Sequence, residues 1–275
     1  MLDAVQMPGW LDELRRDEII GPVRNDPRSH GGTRFGMTMD EAVEAIGRGQ
    51  ADFDAQLGTL SPDDLALLYA FMNQRGHVEE LVTAFGQLLA GARPENPIVV
   101  DIGCGPFTGG LALAATLGDE TRFDYIGIDR AKSMRRLGAR LAGSDHIPGR
   151  VRARWAIGMG AVDWPHRPGW RDVIVILSYL FASPTLDVEA MFGDLEGLLD
   201  RLGRGAVTLL YTNSTRRQPN RRYPEFRQLL EAAGFELHAE DQEEIVVERR
   251  DRLQNRSLYY ALFHRPQRRV LCLGE

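Results

Sequence analysis

Cysteine, lysine and long apolar runs are scarce in this chain, and each shortage closes a route. Two cysteines in 275 residues, Cys104 and Cys272, cannot build a zinc cluster by themselves or a disulfide framework, so a reducing compartment suits the chain. Lysine occurs once, as Lys132, so arginine supplies nearly all of the positive charge. No stretch approaches the roughly 18 to 20 apolar residues of a membrane span. The opening MLDAVQMPGWLDELRRDEII lacks the basic start and apolar centre of an export signal. The expectation is a cytoplasmic protein without membrane contact.

What is present suits a soluble α/β protein. With 43% hydrophobic and 26% charged residues, the chain can bury one large domain with an extension. Its net charge of -6 argues against an indiscriminate nucleic-acid binder, but the charge is uneven. From residue 201 onward 14 arginines face 10 aspartates and glutamates. The last third therefore offers a basic face to an RNA partner, or reflects only the preference for arginine over lysine.

The first 90 or so residues read as helices joined by loops. Thr38 stands three residues before Glu41, a capping pair for a short helix carrying Val43 and Ile46. Ser61 with Pro62 starts a second, in which Leu65, Leu68, Tyr69 and Met72 keep helical spacing. The pattern resumes after Gly76 with Val78, Leu81, Val82 and Phe85. Residues 24–36 have little apolar content and read as a loop free to move.

Past GARPENP at 91–97 the rhythm changes to alternating strand and helix. IVVDIG, FDYIGID, VRARWAIG, DVIVILSYLF and AVTLLYT read as strands, the third weaker and the fourth, at 172–181, strongest. Helical segments follow each in turn, as five βα units. EEIVVER and SLYYALFHR, separated by the turn-like RDRLQN, close the chain as an antiparallel pair. Such alternation implies a parallel sheet covered by helices on both faces.

Gly103, Gly105, Gly109 and Gly110 crowd the junction of the first strand with its helix. In doubly wound sheets ligands bind beyond the carboxyl ends of the strands, where the strand order reverses. Glycines there let a ligand approach the backbone, and the next helix offers free N–H groups. A dinucleotide site wants a third glycine where this chain has Thr108. Asp101 also places a carboxylate near the position of a pyrophosphate, which suits a cationic amino group better. A nicotinamide-dependent oxidoreductase is accordingly the weaker reading.

At these residues the chain resembles the class I S-adenosylmethionine-dependent methyltransferases. Their first motif, an acidic residue followed by Gly-x-Gly-x-Gly, is matched by Asp101, Gly103 and Gly105 in DIGCG, with Cys104 inside the turn and Phe107 in the third-glycine position. Asp129, beside Arg130 at the end of the second strand, matches the acidic residue that takes the ribose hydroxyls. The ending LLEAAGFELHAE followed by SLYYALFHRP is similar to the family's last helix and antiparallel strand. The resemblance covers about residues 94–265. It implies a Rossmann-like, doubly wound seven-stranded α/β sheet with an antiparallel last strand over residues 93–275, preceded by a helical cap or lid over 1–92. It also implies S-adenosyl-L-methionine as cofactor and S-adenosyl-L-homocysteine as product. Met159, Gly160 and Asp163 would meet the adenine, and Ser178 and Tyr179 would face cofactor and substrate.

The acceptor is narrowed by elimination. SYLF after the fourth strand is not the Asn/Asp-Pro-Pro-aromatic signature of exocyclic-amine nucleic-acid enzymes. The cysteines are misplaced for a cytosine C5 nucleophile, and one lysine cannot supply a Lys-Asp-Lys-Glu set. A small-molecule acceptor under the N-terminal helices remains, with RNA on TRRQPNRR at 215–222 as the alternative. Tyr69, Asn73 and His77 share one face if a single helix runs through Gly76; otherwise Tyr69 is core and the other two lie at the surface. His77 and Tyr179 are the candidate catalytic residues, and Tyr69, Asn73 and Tyr179 the candidate substrate contacts. If Phe107 closes the cofactor turn, the chain is instead a non-catalytic, methyltransferase-like interaction domain. No metal is expected, and the oligomeric state is open.

Overall fold

The computed structural model describes residues 5–90, 94–164, 169–183, 185–249 and 252–267. Cys272 and the expected boundary at 92/93 lie outside the described residues. The order of elements begins with α1 (Gly9–Arg15), α2 (Gly21–Arg24), α3 (Met39–Ala45), α4 (Pro62–Tyr69) and α5 (Arg75–Leu88). There follow β1 (Ile98–Ile102), α6 (Thr108–Leu117), β2 (Arg122–Ile128), α7 (Lys132–Ala142) and β3 (Arg150–Ala156). The chain goes on through β4 (Val173–Ser178), α8 (Val188–Leu202), β5 (Val207–Ser214), α9 (Tyr223–Ala232), β6 (Glu236–Arg249) and β7 (Arg252–Arg265).

The strands form a seven-stranded sheet in the order β3-β2-β1-β4-β5-β7-β6. β1 to β5 run parallel, and β7 lies antiparallel between β5 and β6. This is the expected Rossmann-like, doubly wound seven-stranded sheet with its last strand antiparallel. Strand order reverses between β1 and β4, so the crevice for a ligand opens past Ile102 and Ser178.

Period-two alternation divides β1 between two cores. Ile98, Val100 and Ile102 face one, which α8 and α9 fill with Leu195, Leu198, Phe226 and Leu230. Val99 faces the other, shared by α6, α7 and the N-terminal helices through Leu111, Leu137, Phe85 and Leu11. The helical cap is therefore built into the core of one sheet face.

The capping box Thr38 with Glu41 and the N-cap at Ser61 are present as read, and Asp64 completes a second box with Ser61. The segment at 24–36 is pinned: Arg28 pairs with Asp26 and with Asp64, and Phe35 is buried. Three expectations need correction. β4 stops at Ser178, because Tyr179 turns into the left-handed region at φ 58°. β3 is followed by a single turn of 3₁₀ helix (Met159–Ala161), so it begins no full βα unit. The closing hairpin is also longer than expected, with β6 beginning at Glu236 and β7 at Arg252. Its far end has a reason to be ordered, for Ile245 and Val247 pack in the core that includes α5 and the Glu248 N–H donates to Glu79 Oε2 at 2.5 Å.

α4 and α5 are joined through a π-helical turn, Ala70–Gln74, so the chain runs helically from Pro62 to Leu88 and through Gly76. Pro62 starts it, with a fixed φ and a missing N–H that the first turn does not need. Among the described residues, no helix is long and apolar enough to cross a membrane.

Candidate functional site

The turn after β1 is held in place from the end of β2. Gly103 and Cys104 N–H groups both donate to the Ile128 carbonyl, at 2.8 and 3.1 Å. The Gly105 N–H donates to Asp129 Oδ2 at 3.0 Å, and the Ala131 N–H donates to Asp129 Oδ1 at 2.8 Å. Gly103 and Gly105 lie at φ 73° and 51°, where a side chain is strained. Burial pushes the Asp129 carboxyl up, against the pull of those two N–H groups and of Arg135 and Arg130. Arg130 itself is exposed.

Asp101 occupies a different setting. It falls on the same side of β1 as Val99, under α6, and is 2% exposed. Tyr125 donates its hydroxyl to Asp101 Oδ2 at 2.7 Å, and the Gly109 N–H adds a second bond. Burial drives this carboxyl up to about 7. A Cβ on Gly109 would strike the Asp101 carboxylate, and one on Gly110 would strike the Phe107 ring. The second glycine pair thus makes room for the protein's own side chains, which corrects the idea that it widens the ligand crevice. Cys104 is buried as well, its thiol pushed well up by burial and by Asp101, so it packs rather than reacts.

Phe107 keeps the left-handed backbone of a glycine, φ 69°, while its ring turns inward. It meets Tyr125 edge-on at 4.7 Å and Trp155 at 6.1 Å and is fully buried. Gly138 on α7 leaves the space that Trp155 fills, where a Cβ would come within 2.5 Å of the indole.

The turn after β4 closes the crevice from the other side. Leu180 lies against Gly103, whose missing Cβ would meet Leu180 Cδ1 at 3.1 Å. Ser178 accepts a hydrogen bond from the Thr212 hydroxyl at 3.0 Å. After β3, Met159 is buried in the α8 and α9 core and its carbonyl accepts from Arg201, while Gly160 and Asp163 are exposed.

Beside this crevice, under α3 and the α4–α5 helix, is a cavity of about 1180 Å³. Tyr69, His77 and Tyr179 line it, together with Glu44, Arg216 and Arg256. Tyr69 stands at the boundary, since a Cβ on Gly105 would lie 3.8 Å from its Cε1. The rings of His77 and Tyr179 lie 4.6 Å apart at 57°. Asn73 is 1% exposed and sits behind the wall, near Gly49. The i, i+4, i+8 set is thus split by the wider π turn, with Tyr69 and His77 at the cavity and Asn73 in the interior.

Sequence reasoning missed Glu80. Its Oε2 lies 2.8 Å from His77 Nδ1, its Oε1 accepts from Arg256 Nε at 3.4 Å, and Tyr179 also bonds to it. Burial would raise this carboxyl, but His77, Arg256 and Tyr179 together hold it below its ordinary value. The i, i+3 step from His77 to Glu80 was the available signal; Arg256 comes from β7 and had none. Gln74 was also missed. It donates to the Pro106 carbonyl at 2.7 Å and accepts from the buried Arg15 at 3.3 Å, tying the π turn to the glycine turn.

No family model matches the sequence, and no curated protein matches it either. Solved structures are similar to it in part, at low identity. An S-adenosylmethionine-dependent methyltransferase from Methanosarcina mazei is 14% identical, with 66% of this chain and 98% of that chain covered and a TM-score of 0.47. One from Aquifex aeolicus is 16% identical, with 70% and 91% covered and a TM-score of 0.42. An S-adenosylmethionine-dependent O-methyltransferase from Thermotoga maritima is 11% identical, with 83% and 72% covered and a TM-score of 0.41.

Proposed function

We propose that the protein is an S-adenosylmethionine-dependent methyltransferase whose acceptor is a small molecule held in the cavity beneath the N-terminal helices. The observation that carries this reading is the junction itself. The turn after β1, with glycine at the two positive-φ positions facing Leu180 and Tyr69, opens where strand order reverses and adjoins a cavity of about 1180 Å³.

The residues fit the cofactor. Each Asp129 oxygen accepts one backbone N–H, which leaves each with acceptor capacity for a ribose hydroxyl. Gly103, Cys104 and Gly105 supply the open backbone, and the Phe107 ring is buried away from the crevice. That last point favours the cofactor-binding reading over the non-catalytic one. Asp101 enters the proposal as the group that shapes the turn through Tyr125 and Gly109. Arg130, Gly160, Asp163 and Ser178 are assigned to the remaining rim and the adenine to the turn after β3, where Met159 packs into the core beneath. When bound, the cofactor supplies an electrophilic methyl group and leaves as S-adenosylhomocysteine. The chain's own part is to align the acceptor, with His77 and Tyr179 at the shared wall and residues 1–92 acting as the cap over the unit from 93 onward.

Among the arginines of the last third, Arg201, Arg222, Arg227, Arg256 and Arg265 hold carbonyl or carboxylate groups of the chain, which thins the basic face. Arg216, Arg217 and Arg221 of the 215–222 run are exposed and keep RNA as the alternative acceptor. Calorimetric titration with S-adenosylmethionine, S-adenosylhomocysteine and NADH tests the proposal. Micromolar binding of the first two and none of the third is expected. Asp129→Ala, with its fold checked by circular dichroism, should weaken that binding by about 2–4 kcal/mol. A folded protein that ignores both sulfur compounds would remove the reading.

A further inference from the structure

We infer that the acceptor group is a hydroxyl, and that His77, positioned by Glu80, takes its proton. This deepens the methyltransferase reading and rests on it.

Glu80 is 2% exposed, yet it belongs to the cavity wall through its partners. With Nδ1 of His77 2.8 Å from Glu80 Oε2, the neutral ring carries its proton on Nδ1 and leaves Nε2 as the basic nitrogen. Among the described residues Nε2 has no hydrogen-bond partner, while His77 lines the cavity with its side chain 14% exposed. The Tyr179 ring lies against the imidazole and its hydroxyl bonds to Glu80, so the carboxylate orienting the base is itself held from three sides. A base oriented in this way has a use only where the acceptor must lose a proton during attack.

The charges beside the base suit an oxygen acceptor. Arg256 is 3.4 Å from Glu80, and Arg216 lines the same cavity, as do Asp40, Glu41 and Glu44 of α3. The guanidinium next to the His77–Glu80 pair stabilises an oxygen that gains negative charge as its proton leaves. In the step that follows, the hydroxyl proton passes to His77 Nε2 and the oxygen lone pair forms the new O–C bond with the methyl carbon. The C–S bond breaks with its electron pair kept by sulfur, which leaves as a neutral thioether, and the imidazolium returns its proton to solvent. Glu80 stays ionised throughout and acts as a positioning residue.

Two measurements on the full chain test this. In ¹⁵N NMR of histidine-labelled protein, with His77 assigned by its loss in His77→Gln, the neutral ring should be the Nδ1–H form; an Nε2–H ring overturns the inference. The second follows S-adenosylhomocysteine release with a series of substituted phenols and size-matched aromatic amines. Transfer to phenols and not to amines is expected. For the least acidic phenol, His77→Ala should lower kcat/KM by about 10²–10⁴-fold, with Glu80→Gln between it and the native protein. The loss should shrink to a few-fold for the most acidic phenol, which needs no base. Equal losses across the series would mean the His77–Glu80 pair only braces the helix, and transfer to amines, or to neither class, would also overturn the inference. Titration of the same preparation with S-adenosylmethionine separates the cases: without cofactor binding the methyltransferase reading fails, and with it only the hydroxyl assignment does.

Discussion

The turns after β1 and β4 solve the same backbone problem in opposite ways. Each puts an aromatic residue in the left-handed region at the entry to a helical segment, Phe107 at φ 69° and Tyr179 at φ 58°. A side chain there costs about 1–3 kcal/mol. At Phe107 the strain is offset by packing, since the ring is fully buried against Tyr125 and Trp155 in the space that Gly110 leaves for it. At Tyr179 the ring stays half-buried, leans on His77 and lines the cavity. The first turn stores its strain in the core, where it serves the shape of the glycine turn. The second spends the same strain on holding a ring at the cavity wall.

That contrast breaks down most visibly if Phe107 is truncated. Phe107→Ala should destabilise the protein by about 3–5 kcal/mol in urea unfolding. Phe107→Gly removes the same ring but relieves the backbone, so it should be the milder change by about 1 kcal/mol. The reverse order would show that the positive φ carries no strain.

The carboxylate beneath the first turn sharpens the contrast through pH. Asp101 has an ordinary value of 3.8 and is raised to about 7 by burial in the fold. Its neutral form is therefore the one the folded state prefers. Stability present in full below about 4 should fall as pH climbs to about 7 and level off above, by an amount on the order of 2–4 kcal/mol. Asp101→Asn should lack that component of the pH–stability curve. An unchanged curve would show that Asp101 is ionised at no cost.

The smallest effect belongs to the second turn. Tyr179→Phe keeps the ring beside His77 and loses only the bond to Glu80, so stability should drop by about 1 kcal/mol. Cofactor affinity should be unchanged. A loss as large as that of Phe107→Ala would show that Tyr179, too, is chiefly a core residue.

Legibility from sequence followed the range of the interactions. The caps at Thr38 and Ser61 depend on neighbours a few residues away, and their spacing shows in the sequence; the glycine turn and Asp129, 24 positions apart, show through their places at the ends of two strong strands. The hairpin's full length did not show, because β6 is an acidic edge strand whose order comes from α5 packing on Ile245 and Val247. The π turn at 70–74 has no pattern of its own, and it decided which of Tyr69, Asn73 and His77 reached the cavity. Phe107 looked like an obstruction because sequence gives the residue but not the direction of its ring. Arg256 joins Glu80 across 176 positions, beyond any local signal.

That long reach sets the order in which the molecule can be completed. Glu79 and Glu80 find the Glu248 N–H and Arg256 only after 169 and 176 further positions have been made. A nascent chain can pair β1 to β5 while still on the ribosome, yet the wall carrying His77 stays unbraced until the hairpin has emerged. β6 and β7, made after the parallel strands, thus finish a chamber whose α5 wall was made some 170 residues before.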